Sequence, residues 1–539
     1  VDTPQAEHLG RAITAMRPVQ IGALPLVYPI LDKLQVQHVV SRLVSSQADV
    51  DLGQVVLLLA LNRLLAPQPL YHVKDWLIGT VLPEFSGIAP GQVYDNRLGR
   101  ALDRLHPYLG ELWARVATRA IESYDIDLSV LHWDITSIYF EGAYLDSELA
   151  AYGYSRDHRP DTKQANLQVD AAHDGQVPVL YEVLRGNTAD IKRPLPHLRA
   201  ILHFLARPEL AKRHLRPLLV SDRQLVTAEA VLACHRENLF YLAPLSDSTA
   251  TRDLLRSVTA EELAKHELTY RPQRVKPDDD RFVPYRGTWR SYTFVHKDEQ
   301  AVDRALIVWS AGKQRLDEQK RKTQLKRLLN ALEHIKEKLN TWRYKPAGSF
   351  GKRAYVEQRL AGLHASSPAR ALVDWELTGE DGALGFTFRI KQDSLAEAKA
   401  LDGRYALVTN AEHVDASEAL ALYKGQDGVE KRFAILKGPL LVHPVFVHSD
   451  RRIEGLVFIS LLALLVRALL ERACRQQGVK VTAQRALQGF ATLQAVDLTW
   501  ADGSLQRRAA DMTEFQCHVL KALDWPGPQT YTRLTPIVR

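Results

Sequence analysis

Cysteine is scarce in this chain of 539 residues. Cys234, Cys474 and Cys517 are far apart and form no CxxC pair, which excludes a zinc module of ordinary spacing and implies no disulfide framework. A reducing cytosol fits. The 19 histidines are scattered and show no metal spacing such as HxxxH with a matching carboxylate. No basic segment followed by an apolar run opens the sequence, so no signal peptide is expected. Long apolar runs are missing too. Residues 455–466 are the most apolar stretch and end at Arg467, well short of the roughly 20 residues that span a bilayer. A buried helix of a soluble protein is expected there, with no membrane partner. Low-complexity segments are also absent, and at 46% hydrophobic and 25% charged residues the composition is that of an ordinary globular protein.

What is present is a modest positive charge, +7 at neutral pH. Its location says more than its size. Residues 313–345 hold 11 Lys/Arg against 4 Asp/Glu, a local excess of 7 that equals the net charge of the whole chain. Such a cluster suits a phosphate backbone, although a solvated helix face has the same composition.

Hydrophobic spacing divides the chain into five stretches. Residues 1–125 read as mostly helical, with apolar residues at three-and-four spacing over 21–44, 52–65 and 95–109. They form a candidate DNA-end-binding domain, and periodicity alone equally allows a dimerisation or packing domain. From residue 126 to 245 strands alternate with helices. Strands are expected over 130–140, 166–172, 177–184, 215–220 and 240–244, with Asp174-Gly175 as a hairpin turn and helices over 195–206 and 227–237. This order predicts an α/β fold with a mixed sheet flanked by helices. Residues 246–414 change character. A charged loop at Asp278-Asp279-Asp280 precedes strands at 291–294 and 305–309, a long basic helix over 313–339, and strands at 386–390 and 405–408. They are read as an insertion. Residues 415–477 return to the core with helices over 418–437 and 451–474. Residues 478–539 form a tail, a candidate for dimerisation.

Three carboxylates carry the chemistry. Asp134 interrupts the apolar strand His132-Trp133-Asp134-Ile135, where a carboxylate is costly unless paired or metal-bound. Asp222 ends a buried strand, the usual position of a ligand-binding side chain in an α/β sheet. Glu430 lies on the expected helix 418–437. At about 100° per residue, Tyr423, Gln426, Glu430 and Lys437 fall in one arc beside the apolar stripe Leu422, Val429, Phe433 and Leu436. Gly425 and Gly428 in that helix cost about 1 kcal/mol each against Ala and hint at close approach by something bulky. Any one of the three acids alone has a plainer reading as a turn, cap or surface residue. The three together fit two-metal phosphoryl transfer, in which hard divalent ions take carboxylate oxygens.

The segment from Tyr423 to Lys437 resembles the Y-(2)-R-(3)-E-(6)-K signature of bacterial insertion-sequence transposases. Tyr423, Glu430 and Lys437 match, and Gln426 stands where that family has Arg. The strand around Asp134, the stretch 153–163 (GYSRDHRPDTK) followed by Gly186-Asn187-Thr188, and Val220-Ser221-Asp222-Arg223 are similar to other parts of the same pattern. The resemblance implies a ribonuclease H-like core interrupted by a β-rich insertion, after a helical N-terminal domain. It implies that Asp134, Asp222 and Glu430 bind two Mg2+ ions, with Mn2+ as a substitute. It further implies cleavage at the transposon ends through a hairpin and strand transfer into target DNA. Partners would be double-stranded DNA, meaning terminal inverted repeats and target, and a second copy of the chain in the active complex. Localisation would be cytoplasmic, at the nucleoid. Tyr423, Gln426 and Lys437 would hold phosphates, with Arg223 and Arg432 as further DNA-binding candidates and Trp309 as a base-stacking one. The competing readings are an inactive transposase-derived DNA-binding protein and a ribonuclease H-like nuclease that does not join ends.

Overall fold

A computed structural model describes residues 12–45, 49–189, 192–222, 226–272, 275, 282–341, 349–440 and 447–534. The chain forms two units, one of Val1–Tyr241 with Tyr423–Arg539 and one of Leu242–Leu422. The insertion expected over 246–414 corresponds to the second unit with slightly wider limits. The loop Asp278-Asp279-Asp280 lies outside the described residues.

The first unit opens with a strand, β1 (Ile13–Gln20). Helices Leu24–Lys33 and Val36–Leu43 follow. One helix was expected there, but Gln35 adopts φ 51°, which an α-helix cannot continue through. Helix Leu52–Leu65 begins at the expected residue because Asp51 and Gln54 form a reciprocal capping box. Helices Asp95–Leu105 and Leu109–Ser123 then lead into the sheet.

That sheet begins with β2 (Val130–Tyr139), β3 (Gln164–Ala172) and β4 (Val177–Arg185), an antiparallel meander. Asp174-Gly175 does form the β3–β4 turn, with Gly175 at φ 81° and Gln176 at φ 54°. Helix Pro194–Leu205 carries the chain over to β5 (Leu218–Ser221), which pairs parallel to β2. The spatial order is β4–β3–β2–β5, so this sheet is mixed and helix-flanked as expected.

The second unit contains β6 (Phe240–Pro244) from Leu242 onward, β7 (Glu267–Leu268), β8 (Tyr285–His296) and β9 (Glu299–Trp309), then β10 (Val373–Thr378), β11 (Gly385–Ile390) and β12 (Arg404–Thr409). Five of these strands lie in the order β6–β12–β9–β8–β7, and β10 pairs with β11 alone. The long helix spans Ala311–Thr341. Its stripe of Leu328, Leu332, Ile335 and Leu339 is buried with Val356, Leu360 and Phe386. The leucines of the basic helix therefore build a local core. Several of its charges are paired, Lys313 with Asp317, Lys322 with Glu318 and Arg321 with Asp402.

After the second unit, the chain returns through helices Asp427–Lys437 and Asp450–Gln476. The latter is long and apolar enough by composition to cross a membrane, but 94% of its most apolar window is buried. It packs on helices Leu24–Lys33, Leu52–Leu65 and Asp95–Leu105. It is thus the central core helix of its unit. One sequence expectation fails at the end: residues 478–539 are not a separate tail, and a strand, β1, stands within the mostly helical residues 1–125. Strands β13 (Gln494–Trp500) and β14 (Leu505–Ala509) pair antiparallel, and β1 adds to β13 to give a three-stranded sheet. Nothing local marks β1, because Thr14, Met16, Pro18 and Gln20 alternate with residues that are largely exposed as well.

Candidate active site

The parallel register of β2 and β5 fixes two of the three acids. Trp133 lies opposite Ser221, so Asp134, in the middle of β2, and Asp222, just past the end of β5, follow in register on the same face of neighbouring strands. Adjacent strands are about 4.8 Å apart. Glu430 comes from helix Asp427–Lys437, which packs on β2 and β3. The three charges act on one another. Burial pushes the Asp134 carboxyl up to about 7, and the charges of Asp222 and Glu430 add to the rise. The Ile135 amide, which donates to Asp134 Oδ1 at 2.7 Å, and the charge of Arg156 oppose it. Tyr423 belongs to the same cluster, its phenol raised by burial and then by Asp222 and Glu430.

The helix expected over 418–437 is two helices, Ala416–Lys424 and Asp427–Lys437, broken at Gly425-Gln426. The break makes Gln426 the N-cap of the second helix, and its side chain turns inward. Gln426 Nε2 donates to the Trp133 carbonyl at 2.8 Å, and Gln426 Oε1 lies 3.1 Å from His132 Nδ1. His132 Nε2 is in turn 2.9 Å from His173 Nδ1. Since Oε1 can only accept, this arrangement puts the His132 proton on Nδ1 and leaves Nε2 to accept from His173. Burial holds His132 down at about 4, so the ring is neutral. Gln426 thus latches the helix that carries Glu430 onto the strand that carries Asp134. The latch was missed in the sequence, although His132 shares the face of Asp134 by strand alternation.

Gly428 shows why that helix tolerates a glycine. A Cβ there would sit 2.3 Å from Cδ of Gln176. The close approach inferred from the glycines is therefore made by the β3–β4 turn. Gly153 and Gly186 serve a similar purpose, since a Cβ on Gly153 would lie 2.1 Å from the Gly186 carbonyl oxygen. This packs the 153–163 segment against the end of β4.

Other expected DNA contacts are placed differently. Arg432 is buried, donating to the Gln176 and Gly175 carbonyls at 3.0 and 2.8 Å and to Glu471 at 2.7 Å. Neither Arg432 nor Gln426 presents its polar end to solvent as a phosphate contact would. A helix wheel did not reveal this, because the acceptors come from a turn some 250 residues earlier. Lys437 Nζ lies 2.5 Å from Asp157 Oδ1, which ties the helix to the 153–163 segment. Trp309 is in the second unit, half-buried against a cluster that includes Leu255, Leu263 and Ile307, with the Arg286 guanidinium 5.2 Å from its ring centre. Arg223 lies outside the described residues.

Three carboxylates with a phenol beside them make a hard-oxygen donor set of the kind divalent cations take. Asp134 is also half-buried and repelled by the charges of Asp222 and Glu430, with the charge of Arg156 opposing them. The chemistry therefore fits Mg2+. The spacing is looser than a closed site, for among the described residues no group of three His, Cys, Asp or Glu side chains is arranged to hold a metal ion.

Residues 17–117 match a family described as a domain of unknown function (DUF4277). No curated protein matches the chain. Among solved structures, the chain is similar to a piggyBac transposase synaptic complex with hairpin DNA, at 7% identity and a TM-score of 0.39, over 89% of this chain and 82% of that one. It is also similar to a Mos1 transposase paired-end complex with the left transposon end, at 15% identity and a TM-score of 0.16, over 39% of this chain and 63% of that one. A pre-cleavage Mos1 transpososome matches at 18% identity and a TM-score of 0.16, over 39% and 64%. Likeness at these scores carries no argument about fold or activity.

Proposed function

We propose that this protein is a DNA transposase that cuts and joins strands with divalent metal ions held by Asp134, Asp222 and Glu430. The observation that carries the reading is the convergence of these acids, 208 residues apart from Asp222 to Glu430 in sequence, where β5 ends beside the middle of β2. The strand order β4–β3–β2–β5, with β2 and β5 parallel, is what a ribonuclease H-like core requires, and it supports that finer reading of the mixed sheet.

In this mechanism Asp134 and Asp222 offer oxygens from neighbouring strands, and Glu430 closes the site from its helix. Each ion of a pair needs only some of these carboxylates, with water and phosphate completing its shell. This meets the looseness of the triad. Two Mg2+ ions bound there would activate the attacking oxygen and stabilise the leaving one. Tyr423 is positioned by its nearness to Asp222 and Glu430 to donate to a phosphate oxygen. Lys437, paired with Asp157, holds the 153–163 segment and the catalytic helix together. The bacterial insertion-sequence group, a hairpin intermediate and a dimeric complex follow from the motif Tyr423, Glu430 and Lys437, and belong to the same proposal.

A second reading, a DNA-binding protein without catalysis, draws on the absence of a closed three-ligand cluster among the described residues. One experiment separates the two. Supercoiled plasmid is incubated with the protein and Mn2+, and nicked and joined products are resolved on gels. The proposal expects nicking that Asp134→Asn and Glu430→Gln each reduce by at least about 100-fold, about 2.7 kcal/mol in barrier, with plasmid binding retained. Binding without nicking in the unsubstituted protein favours the second reading. Nicking without joined product favours a nuclease.

A further inference from the structure

A cavity of about 310 Å³ lies within the first unit, and none of the three acids lines it. Its walls are mainly apolar, with Ile21, Leu64, Trp76, Leu82 and Leu487 among them. Arg467, on the core helix, is the single charged residue among the described residues that line it. That volume is the share of roughly ten liquid waters and falls at the lower end of ligand pockets, about 300–1,000 Å³. Gln488 and Ala491, which are exposed, line its mouth.

Arg467 is 3% exposed. Its Nη2 donates to Gln484 Oε1 at 2.6 Å, and its Nε has no partner. No Asp or Glu among the described residues forms an ion pair with it. Glu471, one turn on, is engaged by Arg432 at 2.7 Å and by the Ala483 amide at 3.0 Å. Burial brings the guanidinium down only to about 10, so it stays charged at neutral pH. Glu471's charge favours the guanidinium and Arg432's opposes it, and a buried cation without an ion-pair partner of its own is costly. Here it has an unused donor and faces a cavity.

We propose that this cavity is a binding site for a small organic monocarboxylate with an apolar body, the carboxylate meeting Arg467 and the body filling the walls around Trp76 and Leu487. A single guanidinium neutralises one negative charge, and among the described residues no second cation lines the site to balance a phosphate dianion. Gln484 and Gln488 supply neutral polar contacts beside it. The site is independent of the strand-cutting chemistry and does not depend on that reading.

The test is thermal unfolding of the full chain with 4-phenylbutyrate and with 4-phenylbutyramide, the matched neutral amide, each at millimolar concentration. The acid is expected to raise Tm by about 2 °C or more, and the amide is expected to have no effect. Arg467→Met should abolish the rise. Ala491→Trp, at the exposed mouth, should abolish it with Tm in buffer unchanged, which keeps the test decisive even if the Arg467 variant does not fold. An equal rise with the amide, a rise that survives either variant, or no rise with 4-phenylbutyrate or with the shorter probe hexanoate overturns the proposal.

Discussion

Asp134 carries opposing demands at a single residue. Burial pushes its folded carboxyl up to about 7 from the ordinary 3.8, so between these values the folded protein holds a proton that the unfolded chain has lost. Stability therefore falls as pH rises from about 4 to about 7 and is flat above that. Asp134→Asn removes the effect. In metal-free protein it should raise stability at pH 8 by about 2–4 kcal/mol and leave it unchanged below pH 4, as read by urea unfolding. Adding Mn2+ at pH 8 should then stabilise the unsubstituted protein and not the Asn variant. If Asp134→Asn has the same effect at both pH values, the charge crowding at this position is refuted. Asp134 was legible from sequence because a carboxylate in an apolar strand demands an explanation. Arg432 was not, because its partners Gly175, Gln176 and Glu471 lie on elements that only the folded chain brings to it.

At the scale of elements, the site depends on how the helix Asp427–Lys437 is seated. Gly428→Ala would force a Cβ into the Gln176 side chain. A destabilisation of about 1–3 kcal/mol is expected for such overpacking. The double variant Gly428→Ala, Gln176→Ala should recover most of it, because the colliding atoms belong to a side chain. Unfolding in urea reads both, and equal losses in the single and double variants would refute the contact. Element existence was well marked in the sequence. Asp51 and Thr227 cap the helices that follow them, and Asp174-Gly175 turns its hairpin. Boundaries were less legible. Hydrophobic spacing runs straight through Gln35 and through Gly425-Gln426, since two short helices on one face repeat the pattern of a single long one.

At the scale of the molecule, the first unit is completed by both ends of the chain. β1 pairs with β13 from Ile13↔Trp500 to Gln20↔Gln494. Arg507 binds Asp497 of β13 at 2.6 Å and Glu84 at 3.1 Å, the latter a charge contact across 423 residues. Ending the chain at residue 482 should therefore cost far more than a tail would. The expected result is a drop in Tm of at least about 5 °C, or insoluble protein, and an unchanged Tm would contradict the pairing. Periodicity could not have shown this. A strand paired across the whole chain leaves only a weak local pattern, and β1 buries only Val19 of its eight residues.

That pairing also sets an order of events in synthesis. β1 leaves the ribosome nearly 500 residues ahead of β13. At about 5–20 residues per second the wait is roughly 25–100 s. Through that interval β1 has its partner edge open, and Met16 stays 65% exposed even after pairing. The nascent chain must be kept from pairing with a neighbour on the same messenger, so its yield should depend on chaperone supply more steeply than its final stability would suggest.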